Sequence, residues 1–195
     1  MFKDRTKRLF AAELERMLEE MPLQKVRVKE LCARCGARRE AFYYHFRDKY
    51  DLVAWIFEQD FRESAEGAVG VGMRVQTELA LEHMWARRDF YRKAFADKSQ
   101  NSIERSIQDF DVDLGTRLVK RHLGVKELSG KQMFAIKQSS YGNIGCTIEW
   151  LKGDLQATPK QLAAWEYEYM QPFLREAYDR ALGYEDRSAT VRAEG

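Results

Sequence analysis

VRVKELCARCGARREAFYYHFRDKYDL, Val26 to Leu52, is the stretch that decides the fold of this chain. Within it Val28, Leu31, Cys32 and Cys35 fall at helical spacing and form the inner face of a short helix. Gly36 ends that helix, because glycine accepts a left-handed C-cap at little cost. A second short helix follows almost at once, from Arg38 to His45. Asp48 then caps a longer helix whose apolar stripe, Leu52, Val53, Ile56, Phe57 and Phe61, reaches toward Glu66. Two short helices joined by a tight, glycine-containing turn make a helix-turn-helix, and the second of them is slim enough to enter the major groove of DNA.

On the N-terminal side, Phe10, Leu14, Met17, Leu18 and Met21 recur at helical spacing between charged residues, which predicts a helix over Arg5 to Met21 that Pro22 ends. On the C-terminal side, GAVGVG, Gly67 to Gly72, is the only glycine-dense stretch and reads as a hinge; it lacks the Lys-Ser/Thr ending of a phosphate loop. Five more helices are expected: Arg74 to Arg87, Asp89 to Ala96, Asn101 to Leu123, one that Ser129 caps and that ends near Gly153, and one opened by Thr158 and Pro159 that ends before Gly183. The expectation is an all-α chain of nine helices. It divides into a head over residues 1–50, a helical body over 51–183, and a flexible polar tail over 184–195.

The charge is uneven. Residues 1–50 hold 13 Lys or Arg against 8 Asp or Glu, and the other 145 residues hold 20 against 23. A basic head on a mildly acidic body points to a polyanionic partner for the head. No apolar run approaches the roughly 20 residues of a membrane span and no leader pattern is present, so a cytoplasmic protein without membrane contact is expected. Cys32, Cys35 and Cys146 do not make a disulfide framework. Cys32 and Cys35 form a C-x-x-C without the second pair that a zinc site needs, so they read as reduced, buried thiols, and no metal or cofactor is expected. His83 and His122 lie on separate helices without a nucleophile or a glycine-rich strand-to-helix turn, which argues against an enzyme.

The stretch Val26 to Leu52, and AFYYHFRDKYDL (Ala41 to Leu52) above all, resembles the DNA-binding signature of the TetR family of bacterial transcription regulators. FYYHFRDKYDL and YGNIGCTIEWLKGD, Tyr141 to Asp154, are most similar to regulators associated with dihydroxyacetone kinase operons. The resemblance implies a homodimer that binds double-stranded DNA at a short palindromic operator. Repression is the commoner mode, and control comes from a small-molecule effector or a partner protein at the body. It also leaves room for an interaction module of the same fold that acts with a sensor protein or has lost DNA binding.

By the same resemblance, Tyr43, Tyr44 and Lys49 meet the DNA backbone, with Thr6 and Lys7 beside them and Arg27 near the start of the second helix. Arg38 reaches phosphate. Arg39 and Glu40 occupy the positions that read base edges. His45 is either a phosphate donor or a structural histidine, whereas Phe42 and Phe46 are core. Three residues depart from the family pattern: Arg27 and Arg38 stand where hydroxyl caps are usual, and Ala41 where a Thr often meets phosphate. Each lost cap costs roughly 0.5–2 kcal/mol. In the body, Trp85, Phe90, Tyr91, Phe110 and Tyr141 are candidates to line an effector pocket, although helical cores use aromatics just as freely. Ile144, Ile148 and Trp150 on the eighth helix, with Trp165, Tyr169 and Phe173 on the ninth, are the candidate dimer interface, and Gly142, Gly145 and Ala163 would permit close approach.

Overall fold

The computed structural model describes residues 2–97 and 103–184, with side chains from residue 5 onward. Among the described residues there are ten α-helices and no strand: α1 Phe2–Glu20, α2 Val28–Arg34, α3 Arg39–Tyr43, α4 Lys49–Gly67, α5 Met73–Ala86, α6 Arg88–Phe95, α7 Ile103–Leu123, α8 Gly130–Lys152, α9 Pro159–Tyr169 and α10 Pro172–Ala181. The expected start of the seventh helix at Asn101, and the tail beyond Tyr184, lie outside the described residues.

The local signals explain most of these bounds. Asp48 accepts hydrogen bonds from the backbone N–H groups of Tyr50 and Asp51 at the start of α4. Ser129 with Gln132, and Thr158 with Gln161, close reciprocal capping boxes that open α8 and α9. By contrast, Arg27 and Arg38 open α2 and α3 without any side-chain cap. The ninth helix expected from sequence is two, because Pro172 has no backbone donor and pushes the residue before it out of the helical region. Met170 and Gln171 are accordingly extended, and α10 turns away from α9.

The head is built on Phe10, Leu14, Leu31, Phe42 and Phe46, all buried. The Phe10 and Phe42 rings meet edge-on at 5.3 Å, which pins α3 to α1. Gly36 makes the turn between α2 and α3 at φ +61°, where a side chain would be strained. The head core continues through Leu52, Val53 and Ile56 of α4 into Tyr91, Trp150 and Leu162 of the body, forming one cluster. α4 therefore belongs to both parts, and a boundary at residue 50 falls within it. A second, smaller cluster of Met73, Val119, Ile136, Met170, Leu174 and Ala177 closes the far end.

The segment Gly67 to Gly72, expected from its glycines to be a hinge, is tied to the end of α10. Gly70 donates to the Leu182 carbonyl at 2.8 Å, and the Met73 N–H donates to the buried Asp179 carboxylate at 2.6 Å. At Gly72, with φ +86°, a Cβ would approach Asp179 Oδ1 at 2.8 Å. The glycines allow a tight turn that ties the α4–α5 junction to α10.

Candidate nucleic-acid interface and regulatory cavity

α3 is amphipathic over five residues. Phe42 points into the head, and Arg38, Arg39, Glu40, Tyr43 and Tyr44 form an exposed polar face, Tyr43 and Tyr44 being 48% and 67% exposed. Arg39 lies along this face with its guanidinium 5.6 Å from the Tyr43 ring centroid and an N–H donated to the Tyr43 hydroxyl at 3.4 Å. That contact restricts the side chain to few rotamers while leaving its remaining donors to solvent. Arg27 is exposed at the start of α2. Thr6 and Lys7 are half-buried on α1, with the Lys7 ammonium 5.6 Å from both the Phe46 and Trp55 rings. His45 is half-buried, its ring 4.9 Å from Tyr44 and 6.2 Å from Phe46.

Lys49 occupies a different place from the free phosphate donor suggested by the sequence. Its ammonium donates to the carbonyls of Leu23, Gln24 and Val26 at 2.6, 2.9 and 3.0 Å, closing the 3-10 turn Leu23–Lys25 between α1 and α2. All three N–H donors are occupied, so Lys49 can act on phosphate through its charge alone. Partial burial lowers the ammonium pKa from its ordinary value, while Asp97 and Asp48 oppose the shift. Sequence spacing could not find this role, because the carbonyls lie more than twenty residues away along the chain.

The family models agree with this architecture. Residues 8–56 match the model described as "Bacterial regulatory proteins, tetR family", and residues 75–171 match "Transcriptional regulator C-terminal region" of TetR type. The chain belongs to the TetR family of transcriptional regulators. Its curated relatives include the HTH-type dhaKLM operon transcriptional activator DhaS of Lactococcus lactis subsp. lactis (strain IL1403), 25% identical over 106 residues, and the match spans 54% of each chain. Two solved structures share the fold. One, named dihydroxyacetone kinase operon activator DhaS, has a TM-score of 0.58 at 18% identity over 85% of this chain and 93% of its own. The other, a tetR-family transcriptional regulator from Streptomyces coelicolor, has a TM-score of 0.51 at 14% identity over 97% and 88%. Like other TetR-family members it is a regulator, not an enzyme.

In this TetR-family regulator the head is joined to the body by polar contacts that converge on α6. Arg87, just before α6, binds Asp60 of α4 at 2.5 Å and Glu15 of α1 at 2.5 Å, and the Tyr91 hydroxyl donates to Asp60. Lys93 donates to the Leu18 and Glu19 carbonyls at the end of α1, and the Tyr50 hydroxyl donates to Asp97 at 2.7 Å. The α6 region is thus in polar contact with both α1 and α4.

Asp60 also faces a cavity of about 120 Å³ in the body. Phe57, Phe61, Leu81, Met84 and Phe95 form its apolar wall, and Asp111, Ser140, Thr147, Glu166 and Tyr178 its polar one. None of the five aromatics expected there lines it. Tyr91 and Phe90 are buried in the core, and Phe110 packs edge-on behind Phe57 and Phe61. Trp85 stacks on Trp150 at 4.8 Å, and Tyr141 is exposed. The lining includes small and acidic residues that an aromatic search passes over.

The candidate dimer residues also divide. Ile144, Ile148 and Trp150 are buried within the chain, where the Trp150 indole N–H donates to the Ala157 carbonyl at 2.8 Å, so they serve the core and not an outer face. Phe173 is half-buried in the second cluster. Trp165 and Tyr169 on α9 are 40% and 83% exposed, and Phe134 and Tyr141 on α8 extend the exposed apolar surface. Helical period alone does not make this division, since Tyr141, Ile144 and Ile148 stand at i, i+3 and i+7 along α8; the packing of the neighbouring helices covers Ile144 and Ile148 and leaves Tyr141 exposed. Cys32 is buried and Cys35 half-buried, where burial pushes its thiol up to about 11. Neither forms part of a metal-binding group among the described residues. No described helix is long and apolar enough to cross a membrane.

Proposed function

We propose that the chain acts as a homodimer that reads the two halves of a short palindromic operator and that a ligand or partner at the body changes this affinity. The observation that carries the reading is the exposed face of α3, where Arg39 is held along Tyr43 while Phe42 and Phe46 anchor the helix in the core. Arg39 and Glu40 read base edges. Arg38, Tyr43 and Tyr44 bind phosphates together with Thr6, Lys7, Arg27 and His45, and Lys49 braces the turn beneath them. The dimer forms through α8 and α9, where Phe134, Tyr141, Trp165 and Tyr169 leave apolar surface uncovered. Two recognition helices on one face of DNA then stand about 34–36 Å apart, or a further helical turn.

The relatives named DhaS are activators, whereas repression is the commoner family mode. In this chain the sign of regulation follows from where the operator lies relative to the promoter, because the head contacts are the same in either case. Binding-site selection with the full chain, followed by gel shifts, tests the proposal. The expected result is an enriched palindrome bound by two chains, with affinity falling steeply as salt rises. Selection that enriches no sequence would overturn it.

A further inference from the structure

The cavity has a charge imbalance. Three carboxyl groups face it: Asp60, Asp111 and Glu166. Asp60 is matched by Arg87 and Tyr91, but Asp111 and Glu166 have no cationic partner among the described residues. Among the described residues, Glu166 accepts only a 3.3 Å bond from the Thr147 hydroxyl. Ser140, 6% exposed, lies near enough to Asp111 to favour its charged form slightly, yet its hydroxyl makes no well-formed hydrogen bond. Burial therefore raises Asp111 to about 7 and Glu166 to about 8, the second with help from the charge on Asp111. Carboxylates in such a place must take up protons or find a cation.

Size narrows the choice. The cavity, about 120 Å³, is comparable with the roughly 150 Å³ apolar cavity that holds benzene. It accommodates one ring-sized body against Phe57, Phe61 and Phe95, with a donor group reaching the acidic wall.

Building on the effector reading above, we propose that this cavity binds a small organic ammonium ion, its apolar body on the phenylalanine wall and its charged group between Asp111 and Glu166 within reach of the Ser140 hydroxyl. A neutral alcohol of the same shape would fill the apolar part without matching the charge. A carboxylate would be repelled.

The test uses the full chain without DNA, by calorimetric titration with 2-phenylethylammonium, isopentylammonium, 2-phenylethanol and phenylacetate. At least one ammonium ion binds about tenfold or more tightly than the alcohol, and phenylacetate does not bind. Asp111→Asn with Glu166→Gln removes that preference and leaves alcohol binding nearly unchanged. In the unaltered chain, ammonium binding near neutral pH releases protons, seen as a heat that depends on the buffer, and it tightens between about pH 6 and pH 9. The groups facing the bound cation in that range are Asp60, Asp111, Glu166 and Tyr178, with Arg87 and Tyr91 behind Asp60. Equal affinity for alcohol and ammonium, binding of neither ammonium ion, or absence of proton release overturns the proposal even if the double variant does not fold. Operator release is measured separately: an ammonium ion that binds without changing operator affinity leaves this ligand class standing and removes the effector reading.

Discussion

Replacing Lys49 with Met separates a bracing role from a DNA-contacting one. The change keeps the apolar stem and removes an ammonium that donates to three carbonyls, those of Leu23 and Val26 being part-buried and that of Gln24 exposed. A hydrogen bond from a charged donor contributes about 1.5–3 kcal/mol when desolvated and less when solvent competes. Two part-buried bonds, discounted for the burial that already lowers the ammonium pKa, amount to about 2 kcal/mol. In a chain of this size that corresponds to a Tm lower by about 4–8 °C. Thermal melts of Lys49→Met, paired with gel shifts at several salt concentrations, measure both effects. A bracing lysine lowers the Tm and weakens operator binding through the disordered turn, with little change in the slope of affinity against salt. An unchanged Tm, together with a salt slope reduced by about 0.9 per site, would show that Lys49 contacts phosphate directly and that the three bonds do not form in solution.

Other perturbations examine the remaining sites. Arg39→Ala relaxes preference at one guanine in each half-site, a loss of about 1–3 kcal/mol of discrimination, and binding-site selection that returns the unaltered motif rules out base reading by Arg39. Tyr169→Glu shifts the chain toward monomer in light scattering with little change in monomer stability, whereas Ile144→Ala lowers the Tm by the equivalent of roughly 2–4 kcal/mol and leaves assembly intact; a monomeric Ile144→Ala would contradict the inward placement of that residue. Because Asp111 and Glu166 carry raised pKa values of about 7 and about 8 when folded, against 3.8 and 4.5 otherwise, their proton-linked stability is complete below about pH 4 and is lost as pH rises through 7 and 8. The Tm contribution of this pair therefore falls between about pH 4 and pH 8 and levels off above that, and Asp111→Asn with Glu166→Gln flattens the decline; a decline between about pH 5 and pH 8 that the double variant leaves unchanged refutes the assignment.

The amino-acid sequence alone determined the helices and the head. Period, caps and terminating glycines are local, so Asp48, Ser129, Thr158 and Gly36 mark element ends wherever the helices later pack. The buried pair Phe42 and Phe46 and the exposed face of Arg38, Arg39 and Tyr43 follow from the same periodicity, helped by the resemblance of Ala41 to Leu52 to a known signature. Pro172 is the local signal that the nine-helix reading passed over. What only the tertiary structure decided depends on contacts distant in sequence. Lys49 could be assigned to three carbonyls only once α4 lay beside the turn after α1, and the glycine-rich segment proved to be held by Asp179 and Leu182, more than a hundred residues away. The cavity follows the same rule. An apolar or acidic residue on an amphipathic helix carries no mark of which neighbour it will face, so Asp111 and Glu166 meet, and Ile144 turns inward while Tyr169 stays exposed, only through the way α7, α8 and α9 pack.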